Sequence, residues 1–398
     1  MGRRRILRRR RVGAWLPWLL GCVAVAGCDG GAPAVVDEVP TPPATVPEPI
    51  GYDEWRALVD SLSEPGGFFE TDNLVSNESS FLNVLGPMRR LSVYGGTYVG
   101  VGPDQNFSYI AQQRPELAFI LDIRRDNLLQ HLLFKALFHE ATSRVEYLSL
   151  LLGVEPLPDP SPYLNAGADS VVAYIAGAPG GADSPAASRA MERVARRIDS
   201  FGLELSAEDR ETLRRFHDEF IRQGLDLRFT TLGQPPRPFY PTFGELLTAR
   251  DLEGVPGSYL QRRSDFVYLK ALQEANRIIP VVGDLAGPKA LAEIGAVVRD
   301  RGLTIRAFYT SNVEFYLEGN GSFERFLDTA AELPMDDYSV IIRSVFPQGL
   351  VRRHPQAQPG DYSTQVLVRM TDLREAVRSG GYESYWDAVT RDAVDPGG

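Results

Sequence analysis

Outside its first 28 residues the chain contains no cysteine, since both of its cysteines, Cys22 and Cys28, lie close to the N-terminus. A disulfide framework, a zinc-thiolate centre and a cysteine nucleophile are therefore excluded for the body of the protein. Lysine is nearly missing as well: Lys135, Lys270 and Lys289 are the whole set among 42 basic residues, which we read as genomic base composition rather than function. The histidines are His131, His139, His217 and His354. None has metal-ligand spacing, and His139-Glu140 lacks the second histidine of a zinc-protease helix, so no metal site is expected. His131 sits in an apolar helical stretch and reads as a core or boundary residue. A G-x-S-x-G elbow and a GxxxxGK phosphate loop are also lacking. Excess positive charge is missing too. The net charge is −10, and without the seven arginines at positions 3–11 it becomes −17, with 35 basic against 52 acidic residues. Such a surface repels phosphate backbones, which argues against nucleic acid as a partner.

Those seven arginines precede an apolar segment, Val12 to Ala26, too short to span a bilayer comfortably. The pattern reads as a secretory signal. It ends in Val25-Ala26-Gly27-Cys28, which resembles a bacterial lipobox, with Cys28 as the acylated residue and Leu19-Leu20-Gly21-Cys22 as a second candidate. Arg3-Arg4-Arg5-Ile6-Leu7-Arg8 resembles a twin-arginine export signal, although a plain basic n-region explains it equally well. Residues 29–50 are rich in Gly, Ala, Val, Pro and Glu and cannot bury enough apolar surface to fold, so they read as a tether. The expected location is the cell envelope, with the membrane as partner through a lipid anchor. A cytoplasmic form would need a misassigned start codon, and no methionine lies between Met1 and Met88.

From residue 51 to 398 short apolar runs alternate with amphipathic stretches. This predicts one α/β domain, a Rossmann-like three-layer sandwich with a mostly parallel sheet of about seven strands and a helical insertion at about 153–260. The expected strands are Tyr98 to Val101, Leu117 to Leu121, Leu225 to Thr231, Ile278 to Val282, Thr304 to Tyr309, Tyr338 to Val345 and Gln365 to Met370, the last two forming a hairpin-like pair. Pro156 to Pro185 reads as a loop around a short apolar piece, Val171 to Ile175.

The stretch Gly95 to Asn127, GGTYVGVGPDQNFSYIAQQRPELAFILDIRRDN, concentrates the chemistry. It reads as strand, glycine turn, helix, then a second strand ending on Asp122, about 20 residues after the first glycine. Gly100 and Gly102 let a ligand approach the backbone, the helix start around Gln105 offers unpaired N–H groups, and Asp122 can accept hydrogen bonds from ribose hydroxyls. The third glycine of the dinucleotide fingerprint is missing, because Phe107 and Ser108 stand near its place, which argues against a pyrophosphate. Asp284, after the strand Ile278 to Val282, could orient a nucleophile or act as base, or cap the helix beginning near Pro288. Asn77, Glu78, Tyr309 and Asn312 are the candidate substrate contacts, with Asn73 and Glu314 expected beside them.

The glycine turn and terminal acid resemble class I S-adenosylmethionine methyltransferases. NLVSNE (Asn73 to Glu78), GVGPDQNF, LDIRRDN and YTSNVEFYL (Tyr309 to Leu317) look like a family of uncharacterised bacterial proteins with that fold. The resemblance implies S-adenosylmethionine as cofactor, held by Gly100, Gly102, Asn106 and Asp122, with methyl transfer to a small molecule near Asp284. The alternative is a membrane-tethered extracytoplasmic lipoprotein that keeps the fold without catalysis and serves as a binding or structural module, since the methyl donor is not expected outside the inner membrane.

Overall fold

The computed structural model describes residue 43, residues 45–347 and residues 353–397. The expected signal peptide, Cys28 and most of the tether lie outside the described residues. Six strands form one sheet: β1 (Thr97–Gly100), β2 (Leu117–Asp122), β3 (Ile278–Val282), β4 (Ile305–Ser311), β5 (Val340–Val345) and β6 (Thr364–Arg369), in the order β3-β2-β1-β4-β5-β6. β1 to β5 pair in parallel and β6 runs antiparallel to β5. The architecture is α/β, a mainly parallel sheet flanked by helices and compatible with a Rossmann-like arrangement. β1, β3 and β5 are buried along their whole length, as expected for strands covered on both faces, and β3, Ile-Ile-Pro-Val-Val, is apolar throughout.

The sheet has six strands rather than seven. Leu225 to Thr231 does alternate, with Leu227 and Phe229 buried, yet it forms a short 3-10 turn at Gly224–Asp226 and a single bridge from Arg228 to Thr242. Its period reports burial against neighbouring helices, not pairing within the sheet. Val171 to Ile175, expected as an apolar piece within a loop, is part of the helix Ala168–Gly177.

β3 is an edge strand, which accommodates Pro280 where a central strand would lose a ladder hydrogen bond. The helix Tyr52–Leu62 covers that edge, and Trp55 donates its indole N–H to the Ile278 carbonyl at 3.3 Å. The helices Asn106–Gln113, Arg125–Glu140 and Arg263–Glu274 pack as one group, and Ala290–Asp300, Phe323–Ala331 and Met370–Arg378 as another. Successive strands step outward from β1 to β3, then the chain returns to place β4 on the other side of β1. The crevice of an open parallel sheet lies at such a switch point, outside the carboxyl ends of the strands.

Candidate functional site

The turn after β1 is built from the inside. Asn106 is fully buried, accepts a hydrogen bond from the Tyr98 hydroxyl at 2.7 Å, and donates to the carbonyls of Val101 (2.8 Å) and Pro103 (2.7 Å). A Cβ on Gly100 would press on the Asn106 carboxamide oxygen and stand 2.6 Å from the Tyr98 hydroxyl. Gly100 and Asn106, both expected at a cofactor, therefore serve the inner side of the turn, and neither lines the cavity described below. Gly102 does line it, in the left-handed region at φ +83°. Its carbonyl accepts from the Asn127 amide at 2.8 Å and from His131 Nε2 at 2.9 Å. Burial pushes the His131 imidazole down to about 4, so the ring is neutral and acts as a structural donor. Below the turn, burial raises the Asp104 carboxyl to about 7 against a hydrogen bond from the Tyr259 hydroxyl at 2.9 Å.

Asp122 ends β2 at the cavity, as the sequence suggests, but its carboxylate is engaged. Arg124 clamps it through Nε to Oδ1 (3.0 Å) and Nη2 to Oδ2 (2.8 Å), and the Arg124 backbone N–H also donates to Oδ1 at 2.9 Å. Arg124 Nη1 reaches on to the carbonyls of Thr71 and Asp72. A carboxylate has about four lone-pair positions, so Oδ2 keeps room for one further donor.

Glu78 is the centre of the site. It is 1% exposed, and every partner it has among the described residues is neutral. The Tyr309 hydroxyl lies 2.8 Å from both carboxylate oxygens, Ser311 Oγ donates to Oε1 at 2.5 Å, and the amides of Gln105 (2.9 Å) and Gln365 (2.5 Å) donate to Oε2. Gln105 also donates to the Tyr309 oxygen at 2.5 Å. Burial, then the charge of Glu78, holds the Tyr309 phenol well above its usual range, so it stays protonated and donates. The cage gathers the segment before β1, the turn after it, the end of β4 and the start of β6.

These groups open onto a cavity of about 560 Å³ at the carboxyl ends of β1 to β4. Three backbone positions along it, Asn73 (φ +49°), Gly102 (φ +83°) and Ser311 (φ +52°), are left-handed. Two of them are not glycine; asparagine adopts this conformation readily, which leaves Ser311 as the unusual one. Asp284 also lines the cavity; its Oδ1 accepts the Ala286 N–H at 2.9 Å in a local turn. The following helix, Ala290–Asp300, is capped instead by Glu64, whose Oε1 accepts the N–H groups of Lys289 (2.8 Å) and Ala290 (3.0 Å). Asn77 and Asn312 line the same cavity. Glu314, expected to face the crevice, does not: it is fully buried beside Arg343 Nε at 2.8 Å and accepts from Thr310 Oγ1 at 2.9 Å. The bulge between Tyr309 and Ser311 shifts the register at the end of β4, which resets which side chains turn outward.

The structure thus brings Gly102, Asp122, Asp284, Asn77, Glu78, Tyr309 and Asn312 to one cavity and turns Gly100 and Asn106 away from it. Sequence reading missed Gln105, Ser311 and Gln365 as partners of Glu78. Gln365 lies 287 positions from Glu78, and no local pattern signals such a contact. A family profile described as "Domain of unknown function (DUF7790)" matches residues 74–152 and 230–388, more than half of the chain, and the chain belongs to that family. The unmatched stretch between them includes the helices Ala168–Gly177, Pro185–Ser200 and Ala207–Gln223. No curated protein matches the chain.

Proposed function

We propose that this member of the DUF7790 family binds a cationic nucleoside, S-adenosylmethionine, in the strand-end cavity and acts as a methyltransferase-like protein on a small molecule. The observation that supports this most is the charge of the lining. Glu78, Asp122, Asp284 and Glu318 face the cavity, while its cation, Arg124, is bound to Asp122. Such a lining disfavours a dinucleotide, whose pyrophosphate would lack a counter-charge, and favours a sulfonium. When bound, the group supplies an electrophilic methyl on a cationic sulfur. Gly102 then admits the ligand against the backbone, Asp122 offers the remaining lone pair of Oδ2 to a ribose hydroxyl, and Asp284 Oδ2 is placed to take a proton from an acceptor. Asn77 and Asn312 orient polar atoms, and Glu78 supplies a fixed negative potential. Isothermal titration with S-adenosylmethionine and its demethylated product tests the reading: micromolar binding of either supports it, and no heat with both refutes it.

A second reading, a membrane-tethered binding module without catalysis, is favoured by the clamp of Arg124 on Asp122 and by the inward turn of Asn106. It goes with the lipobox-like sequence. Mass spectrometry of membrane-extracted protein is then expected to show an acylated Cys28 and no residues 1–27, and Cys28→Ser to block maturation. A soluble chain starting at Met1 would count against the anchor.

A further inference from the structure

A second cavity, about 760 Å³, adjoins the first. The two share a wall of Phe69, Asn77, Phe229, Asn312, Phe315 and Tyr316. Their chemistry differs. Where the first is lined by acids and strand ends, the second is lined by rings from five segments: Phe69, Phe229 and Tyr240, Phe315 and Tyr316 after β4, Phe346 and Tyr362 from the link between β5 and β6, and Tyr385. The rings contact one another edge to face or tilted: Phe229 with Tyr240 at 5.4 Å, Tyr240 with Tyr362 at 5.5 Å, Phe346 with Tyr362 at 5.5 Å and Phe315 with Tyr385 at 6.0 Å. These are the separations at which aromatic pairs attract, so a further ring would find partners on several sides.

Exposure points the same way. The exposed aromatic side chains among the described residues are Tyr52, Phe68, Phe69, Phe239, Phe315 and Tyr316, and all except Tyr52 line or border these two cavities. Leaving five rings in water at one place is costly unless they meet a ligand, and isolated exposed apolar residues would not gather this way. The charged side chains lining the second cavity are Arg237 and Glu70, which together leave it neutral. A volume of this size suits a small molecule of two or three rings.

We infer that the second cavity binds a neutral, planar aromatic small molecule, with its polar atom directed through the Asn77 and Asn312 wall toward the strand-end cavity. Calling this molecule the methyl acceptor rests on the function proposed above. The binding site itself does not.

Titration of the purified full-length protein with 1-naphthol, and with 1-decalol as the saturated ring of the same skeleton, tests the inference. One naphthol is expected to bind per chain, at least tenfold more tightly than decalol. Tyr362→Leu and Phe346→Ala, which touch the second cavity and not the first, are expected to weaken naphthol three- to tenfold, the range of one lost aromatic pair. Val267→Ser, at an exposed position that lines neither cavity, should leave naphthol binding unchanged. Equal affinity for the two alcohols, no detectable heat with naphthol, or unaltered affinity in both ring variants overturns the inference. The comparison of alcohols uses the wild-type chain and holds even if a variant unfolds. Naphthol binding without S-adenosylmethionine binding would fail the proposed function alone, and the reverse would fail this inference alone.

Discussion

Glu78 and Glu314 are both buried acids at the end of β4, but their surroundings make them different kinds of group. Glu314 is matched by a guanidinium, Arg343, with both side chains fully buried. Glu78 is held by hydroxyls and amides and opens onto a cavity. In the first case the charge is cancelled where it stands, so the pair is part of the core. In the second the hydrogen bonds satisfy the oxygens while the negative potential remains available to a ligand. Burial alone therefore does not distinguish the two acids; the charge of their partners does.

Breaking the Glu314 pair is expected to give the largest effect. Glu314→Gln leaves Arg343 charged, buried and without a counter-ion, a situation that costs about 3–5 kcal/mol. Chemical denaturation should show a loss of that size. A double variant, Glu314→Gln with Arg343→Met, should recover much of it, because two neutral side chains no longer require charge matching. Unchanged stability in the single variant would remove the contrast with Glu78.

Asp104 offers a buried acid with neither a guanidinium nor a full cage. Its carboxyl is raised to about 7 by burial, so between about pH 4 and pH 7 the folded chain holds a proton that the unfolded chain has released. For this group the folded state binds more protons there, so its own contribution to stability falls as pH rises through that window, by on the order of 2–4 kcal/mol for a shift of this size, while His131 and His217, both held down to about 4 by burial, contribute in the opposite direction. Below pH 4 both states are protonated and the contribution is constant. Asp104→Asn removes this contribution, so the variant should gain on the wild type by that amount between pH 4 and pH 8. A stability difference between wild type and variant that stays constant from pH 4 to 8 would refute the assignment.

How much of this contrast the sequence carries depends on the range of the contacts. The strand-turn-strand unit around Gly100, Gly102 and Asp122 is local, so its elements and the cavity-facing Gly102 and Asp122 are legible from spacing. Glu78 and Tyr309 are legible as candidates, but their contact spans 231 positions, and the donors Gln105 and Gln365 carry no local signature. Glu314 illustrates another limit. A positive φ at Ser311 and the bulge beside it decide which way the next helix faces, and neither can be read from YTSNVEF. Gly100 shows a third: its lack of a Cβ answers Asn106 and Tyr98 rather than a ligand, although the residue type is the same for both reasons.

Asp122 stands between the two glutamates, paired like Glu314 yet facing the cavity like Glu78. Asp122→Ala removes a charged acceptor and is expected to cost about 1.5–3 kcal/mol of nucleoside binding. It also releases Arg124, whose side chain is 7% exposed, so the melting temperature should fall as well. Calorimetry for binding and thermal unfolding together separate the two losses. A fall in stability with no change in affinity would place Asp122 with Glu314.

The smallest expected effect is the sharpest test of Glu78. Glu78→Gln keeps the shape and removes the charge, at the cost of facing one of its new N–H donors toward the amides of Gln105 and Gln365. If the fixed charge attracts a sulfonium, the variant should lose affinity for S-adenosylmethionine while retaining it for the uncharged demethylated product. One charge acting over roughly 10–15 Å at an effective dielectric near 20 is worth about 1 kcal/mol, a change of roughly fivefold in the ratio of the two dissociation constants. Taking the ratio cancels any general loosening of the cavity by the amide conflict, since both ligands would suffer it. A ratio equal to the wild-type value would mean that the cage screens Glu78 completely, and the acid would then serve only to tie β4 and β6 to the segment before β1.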